Sequence, residues 1–220
     1  MKLEFPKLAT KLAILMAFFA PPLFALLPNW FFGRNPALGT QIVLQLLYLG
    51  LPAFVLWVTI HYERLPLESI GLRRPHWSTF VSGILLWGVI TYLMPLLTQP
   101  LVNALGDEGF DSGLDEIAHM PIWWRVIMGL TGGAVEETLY RGYAIERLAS
   151  LTGRLWMGAT ISAVIFGLAH IPTWGVGFAL GAALPFGIVM TMFYVWKRDL
   201  LANMIAHSGG LVVGMLSVAS

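Results

Sequence analysis

At 220 residues, 57% hydrophobic and only 11% charged, with a mean hydropathy of +0.75, the chain has the composition of an integral membrane protein and not of a soluble domain. A net charge of +1 offers nothing to a polyanion, so nucleic-acid binding is not expected. There is no cysteine, which excludes disulfides, thiolate metal sites and a cysteine nucleophile.

Lys2, Lys7 and Lys11 precede an apolar run that continues to Phe32 without a small-residue cleavage site, so a retained first span is expected in place of a signal peptide. Pro21, Pro22 and Pro28 predict that this span is kinked. Seven stretches are apolar enough to cross a bilayer, which needs about 20 residues each. They are predicted at 11–32, 39–60, 77–98, 122–143, 155–171, 176–196 and 200–218, the fifth being short. No internal repeat or low-complexity tract interrupts them. The expected fold is all-α, a single integral membrane domain over 1–220 built as a polytopic transmembrane helical bundle of about seven spans.

Charge sets the expected orientation. With a cytoplasmic N-terminus, the inside segments hold Lys2, Lys7, Lys11, Arg64, Arg73, Arg74, Arg141, Arg147, Arg154, Lys197 and Arg198, while the outside segments hold Arg34 and Arg125. Positive residues favour the cytoplasmic side, so this bias predicts the N-terminus inside. Arg141 can also be a site residue. The outside stretch 99–121 carries Asp107, Glu108, Asp111, Asp115 and Glu116 without Lys or Arg and reads as a solvated acidic loop. Arg73 and Arg74 are placed to meet anionic headgroups. Trp123, Trp124 and Trp174 read as interface anchors.

Against this apolar background, Gly132-Gly133-Ala134-Val135-Glu136-Glu137-Thr138-Leu139-Tyr140-Arg141-Gly142 stands out. A charge at the bilayer centre costs roughly 2.5–3.5 kcal/mol on insertion scales, so intramembrane ionisable residues usually have a task. Helical spacing puts Glu137 and Arg141 on one face, where they can pair. Glu136 points about 100° away with no partner in its own segment, as a candidate acid or base. Gly132 and Gly133 suit a close helix approach. Two later spans add polar groups: Phe166 and His170 share a face four residues apart, and so do Asn203 and His207.

One carboxylate and two imidazoles compose a hydrolytic centre in either of two ways. Glu136 and an imidazole activate a water by general-base action, with the second imidazole and Asn203 donating to the oxyanion. Alternatively Glu136, His170 and His207 bind a zinc ion that activates it. Other intramembrane protease signatures fail. No His is followed by Glu, Phe80 stands where Ser82-Gly83 would need a preceding glycine, and Ala104 does the same before Gly106-Asp107.

The three motifs together resemble the CPBP family of intramembrane proteases, also called the ABI or type II CAAX-processing family. Glu-Glu-x-x-x-Arg matches Glu136 to Arg141 with the aromatic-Arg-Gly continuation Tyr140-Arg141-Gly142; Phe-x-x-x-His matches Phe166 to His170; the last histidine matches His207. These motifs place a catalytic core at about 132–211. The resemblance implies a membrane endopeptidase in which Glu136 and His170 activate water, His207 stabilises the oxyanion, and Glu137 and Arg141 shape the site. One position departs: the family commonly has Asn or Asp four residues after the last histidine, where this chain has Leu211, leaving Asn203 as the amide one turn earlier. The family has been described both as metalloproteases and as metal-free glutamate proteases. The implied partners are the lipid bilayer and a membrane-associated peptide or protein, a prenylated CAAX tail being one case. A bacterial cytoplasmic membrane is the expected location. A non-enzymatic binding or immunity protein of the same fold, or a proton-coupled carrier, would share the buried Glu and His.

Overall fold

The structure, a computed structural model, describes residues 7–33, 36–106 and 108–218. Lys2, Arg34 and Asp107 lie outside the described residues, as do the side chains of Lys7, Glu108 and Asp111. Among the described residues there are eight long helical segments and no strand: α1 Lys7–Phe31, α2 Leu38–Tyr62, α3 Trp77–Leu105, α4 Glu108–Ala118, α5 122–152, α6 Leu155–Leu168, α7 Ile171–Lys197, kinked at Gly175 (φ 80°, ψ 169°), and α8 Leu200–Ser217. Backbone groups in lipid must be satisfied within the segment, which is why a chain of this composition is helical throughout. Large apolar side chains point outward, Leu96 and Leu97 being 71% and 73% exposed.

Five helices, α1, α2, α3, α7 and α8, are long and apolar enough to cross. The other two predicted spans differ in kind. Helix α6 has 14 residues, roughly 21 Å at 1.5 Å per residue, and falls short of a hydrocarbon core of about 30 Å. Helix α5 runs unbroken from 122 to 152. It continues past the predicted boundary at 143 because Glu146 and Arg147 find partners, Glu146 with Arg198 at 2.7 Å and Arg147 with Glu63 at 2.6 Å. The α5–α6 hairpin turns at Gly153, whose φ of 72° suits a residue without Cβ.

The acidic stretch is not a loop. Its first residues finish α3, and most of the rest forms α4, where Leu114 and Ile117 share an apolar face. Helix α4 lies against the start of α7. Two of the three expected anchors also turn inward. Consecutive helical residues project about 100° apart, so Trp123 and Trp124 cannot both face lipid: Trp123 is half exposed and Trp124 is buried. Trp174 packs on Phe178, with ring centroids 5.3 Å apart, and lines the internal cavity. Arg125 is buried too. Its guanidinium donates to the carbonyls of Ala118 (2.7 Å), Met120 (2.9 Å) and Val218 (2.8 Å), tying the ends of α4 and α8 to the start of α5.

Helix α8 is central, packed between α5 and α3. A Cβ at Gly133 would sit 2.6 Å from the Ser208 amide nitrogen, and one at Gly129 would sit 2.9 Å from Val212, so α5 meets α8 through bare backbone. At Gly132 a Cβ would meet only Leu211, at an ordinary 3.5 Å. The loops 62–77, 152–155 and 197–200 come together at the end of the bundle where α1 begins. There Glu63 accepts from Thr10 (2.9 Å), Tyr143 (2.9 Å) and Arg147, and Glu146 accepts from Tyr194 (2.9 Å) and Arg198. Arg73 donates to the Lys197 and Arg198 carbonyls, and Thr79 to Asp199 at 2.6 Å.

Candidate active site

The middle of α5 widens into a π-helical stretch, Glu137–Ile145, every residue of which is buried. Such stretches recur at functional sites because they re-aim side chains and loosen the backbone ladder. Here the Tyr140 carbonyl accepts from Ser162 Oγ of α6 at 2.6 Å, so α6 is fastened at this level.

The two adjacent glutamates have separate surroundings. Glu137 is fully buried and saturated: Oε1 receives Arg141 at 2.9 Å and His207 Nδ1 at 2.8 Å, and Oε2 receives Asn203 Nδ2 at 3.1 Å. Glu136 keeps 21% of its side chain exposed, lines a cavity of about 810 Å³, and lies 3.7 Å from His207 Nε2. That separation is too long for a hydrogen bond and suits a bridging water.

Both imidazoles line the same cavity and are held by Nδ1. His170 Nδ1 is 2.8 Å from the Phe166 carbonyl, so in the neutral ring Nδ1 carries the proton and Nε2 is left as a base. His207 Nδ1 is directed at Glu137, leaving Nε2 towards Glu136. The Phe166 ring stands among them. Its centroid is 4.8 Å from that of His170 and 6.1 Å from that of His207, and the Arg141 guanidinium stacks over its face at 4.0 Å.

The hairpin explains why His170 reaches this depth. Glu136 lies sixteen residues before Thr152 and His170 fifteen after Leu155, so the two sit at equal heights, roughly 24 Å above the turn at 1.5 Å per residue. With the fifth span ending partway, α5, α6 and α8 bring Glu136, His170 and His207 to one cavity.

Asn203 is not arranged as a free donor. Its amide donates to Glu137 and, at 3.0 Å, to the Met190 carbonyl, which uses both N–H bonds to orient the buried carboxylate. Leu211 lines the cavity with no donor to offer. Among the described residues no three His, Asp or Glu side chains are gathered to hold a metal ion, and the set Glu136, His170 and His207 expected for zinc does not fit one.

Several cavity residues escaped the sequence reading. Tyr48 lines it beside Gln41 and Gln45, and Gln45 donates to Thr131 at 2.6 Å. Gln41 Oε1 and Thr91 Oγ are buried on its wall with no hydrogen-bond partner among the described residues. Two glutamines one turn apart in an apolar span were the available signal.

A buried helical site with a partly exposed carboxylate, two oriented imidazoles and an apolar cavity has the makings of a membrane-embedded hydrolase. Residues 118–210, the stretch carrying all three motifs, match the family model described as type II CAAX prenyl endopeptidase Rce1-like. No curated protein and no solved structure matches the chain.

Proposed function

We propose that the chain is an intramembrane endopeptidase that hydrolyses a peptide bond of a membrane-associated substrate with a water activated by Glu136 and His170. The observation that carries this is the division of labour between neighbours: Glu137 is committed to Arg141, His207 and Asn203, whereas Glu136 faces the cavity with its lone pairs available. A water held by Glu136 and His170 Nε2 gives up a proton to one of them as its oxygen attacks the scissile carbonyl. The proton then passes to the leaving amine. His207, oriented through Nδ1 by Glu137, presents Nε2 to the same space and in its protonated form donates to the oxyanion. Arg141 pairs with Glu137 inside the protein, and Asn203 fixes its second oxygen. The unpartnered Gln41 and Thr91 atoms are available to the substrate main chain.

The cavity wall is mostly apolar, with Phe24, Phe178, Phe186 and Trp174 among its side chains, which suits a lipid-modified or apolar peptide. The test is cleavage of prenylated and unprenylated peptides by the protein in proteoliposomes, with products read by mass spectrometry. His170→Ala and His207→Ala should each cut the rate at least about a hundred-fold, the usual scale for losing an acid–base group. Full activity in either variant would remove that ring from the mechanism.

A further inference from the structure

We infer that Tyr48 is a further catalytic residue, its phenol donating with His207 to the oxyanion that forms when water attacks the scissile carbonyl. The inference rests on the endopeptidase reading and adds a donor which that reading lacks. An oxyanion in an apolar cavity carries its charge on several lone pairs, and one imidazolium leaves the others bare. The neighbouring polar side chains are already engaged. Asn203 gives both N–H bonds to Glu137 and the Met190 carbonyl, Tyr140 donates to the Phe18 carbonyl at 3.2 Å, and Ser208 donates to that of Leu130 at 2.9 Å. Leu211 has no side-chain donor at all.

Tyr48 is placed differently. Along α2, Gln41, Gln45 and Tyr48 follow at helical spacing, and all three line the cavity. Helices α2 and α5 run in the same direction: Gln45 meets Thr131 at 2.6 Å and, farther along, Glu63 just past α2 meets Arg147. Tyr48 is three residues past Gln45, roughly 4.5 Å along the axis, and Glu136 is five past Thr131, roughly 7.5 Å. The offset of about 3 Å is shorter than a tyrosine side chain, and the phenol is close enough to Glu136 for the carboxylate's charge to act on it. The ring is braced by Phe24 of α1, with centroids 6.0 Å apart, and its hydroxyl has no hydrogen-bond partner among the described residues. A phenol keeps its proton at ordinary pH, so it can donate a hydrogen bond without giving the proton up. As the water oxygen bonds to the carbonyl carbon, the C=O π pair moves onto oxygen and the Tyr48 O–H bonds to it. That hydrogen bond weakens when the carbonyl re-forms and the amine leaves.

Tyr48→Phe removes the hydroxyl and keeps the ring. In proteoliposomes the variant should lose about 10²–10³-fold in kcat, the scale for removing one oxyanion donor, with KM near that of wild type. A peptide carrying a tetrahedral phosphonate in place of the scissile amide should bind the variant more weakly by a similar factor, because only that group resembles the oxyanion. Thermal unfolding should not move, since the hydroxyl has no bond within the protein to lose. A tyrosine that only packs would lower the melting temperature and leave phosphonate affinity unchanged. That pattern, an unchanged kcat, or a rise in KM alone overturns the inference and leaves the endopeptidase reading standing. A wild type that neither cleaves peptide nor binds the phosphonate overturns both.

Discussion

Glu137→Gln is the perturbation that separates holding the site together from performing chemistry in it. The carboxylate and the Arg141 guanidinium are each 0% exposed and 2.9 Å apart. The amide cannot balance that cation, and removing one partner of a buried pair costs about 3–5 kcal/mol because the other charge is left unpaired. At about 2–4 °C per kcal/mol for a chain of this size, unfolding should move down by roughly 6–20 °C. His207 and Asn203 lose their common acceptor at the same time, so peptide cleavage should fall as well. The double replacement Glu137→Leu with Arg141→Met tests the split. Trading a buried ion pair for apolar groups of similar volume is often neutral or stabilising. The double variant should thus melt near wild type yet stay inactive, because nothing then orients His207. Thermal unfolding in detergent and cleavage in proteoliposomes read the two effects separately. An unchanged melting point in Glu137→Gln, or an active double variant, would refute the reasoning.

Three further outcomes are expected. Gly133→Ala forces a methyl to within 2.6 Å of the Ser208 backbone and should destabilise by about 1–3 kcal/mol while parting His207 from Glu136. Gly132→Ala meets only Leu211 at 3.5 Å and should stay within about 0.5 kcal/mol of wild type; equal damage from both glycines would contradict the packing account. Because the donor set does not gather around a metal position, chelator-treated protein should cleave at the untreated rate and metal analysis should find well under one ion per chain. Loss of activity on chelation, restored by zinc, would overturn that expectation.

The chemistry was more legible than its depth. The Glu137–Arg141 pair followed from local helical spacing, and the structure places it as that spacing predicts, at 2.9 Å within a π-helical stretch. What local spacing could not reveal was where α5 stops. Glu146 and Arg147 look like loop charges until Arg198 and Glu63 arrive from far along the chain, and only then does the helix continue to Thr152. That extension lowers the hairpin turn and brings His170 level with Glu136. Acidity concealed α4, since five carboxylates obscured the helical spacing of Leu114 and Ile117. Trp124 and Trp174 misled for a related reason: an aromatic near a span end can anchor outward or pack inward, and its neighbours decide. Phe166 was visible only as a companion of His170, although it also supports Arg141 and His207.

Initial rates of peptide cleavage by wild type and by Glu136→Gln, measured in the same proteoliposomes at matched protein density, address the catalytic role of Glu136 most directly. Glu136 is partly exposed and 3.7 Å from His207, beyond hydrogen-bond distance, so the variant should fold and insert normally. The rate should nonetheless fall by at least about a hundred-fold. A Glu136→Gln protein that cleaves as fast as wild type would show that water is activated elsewhere.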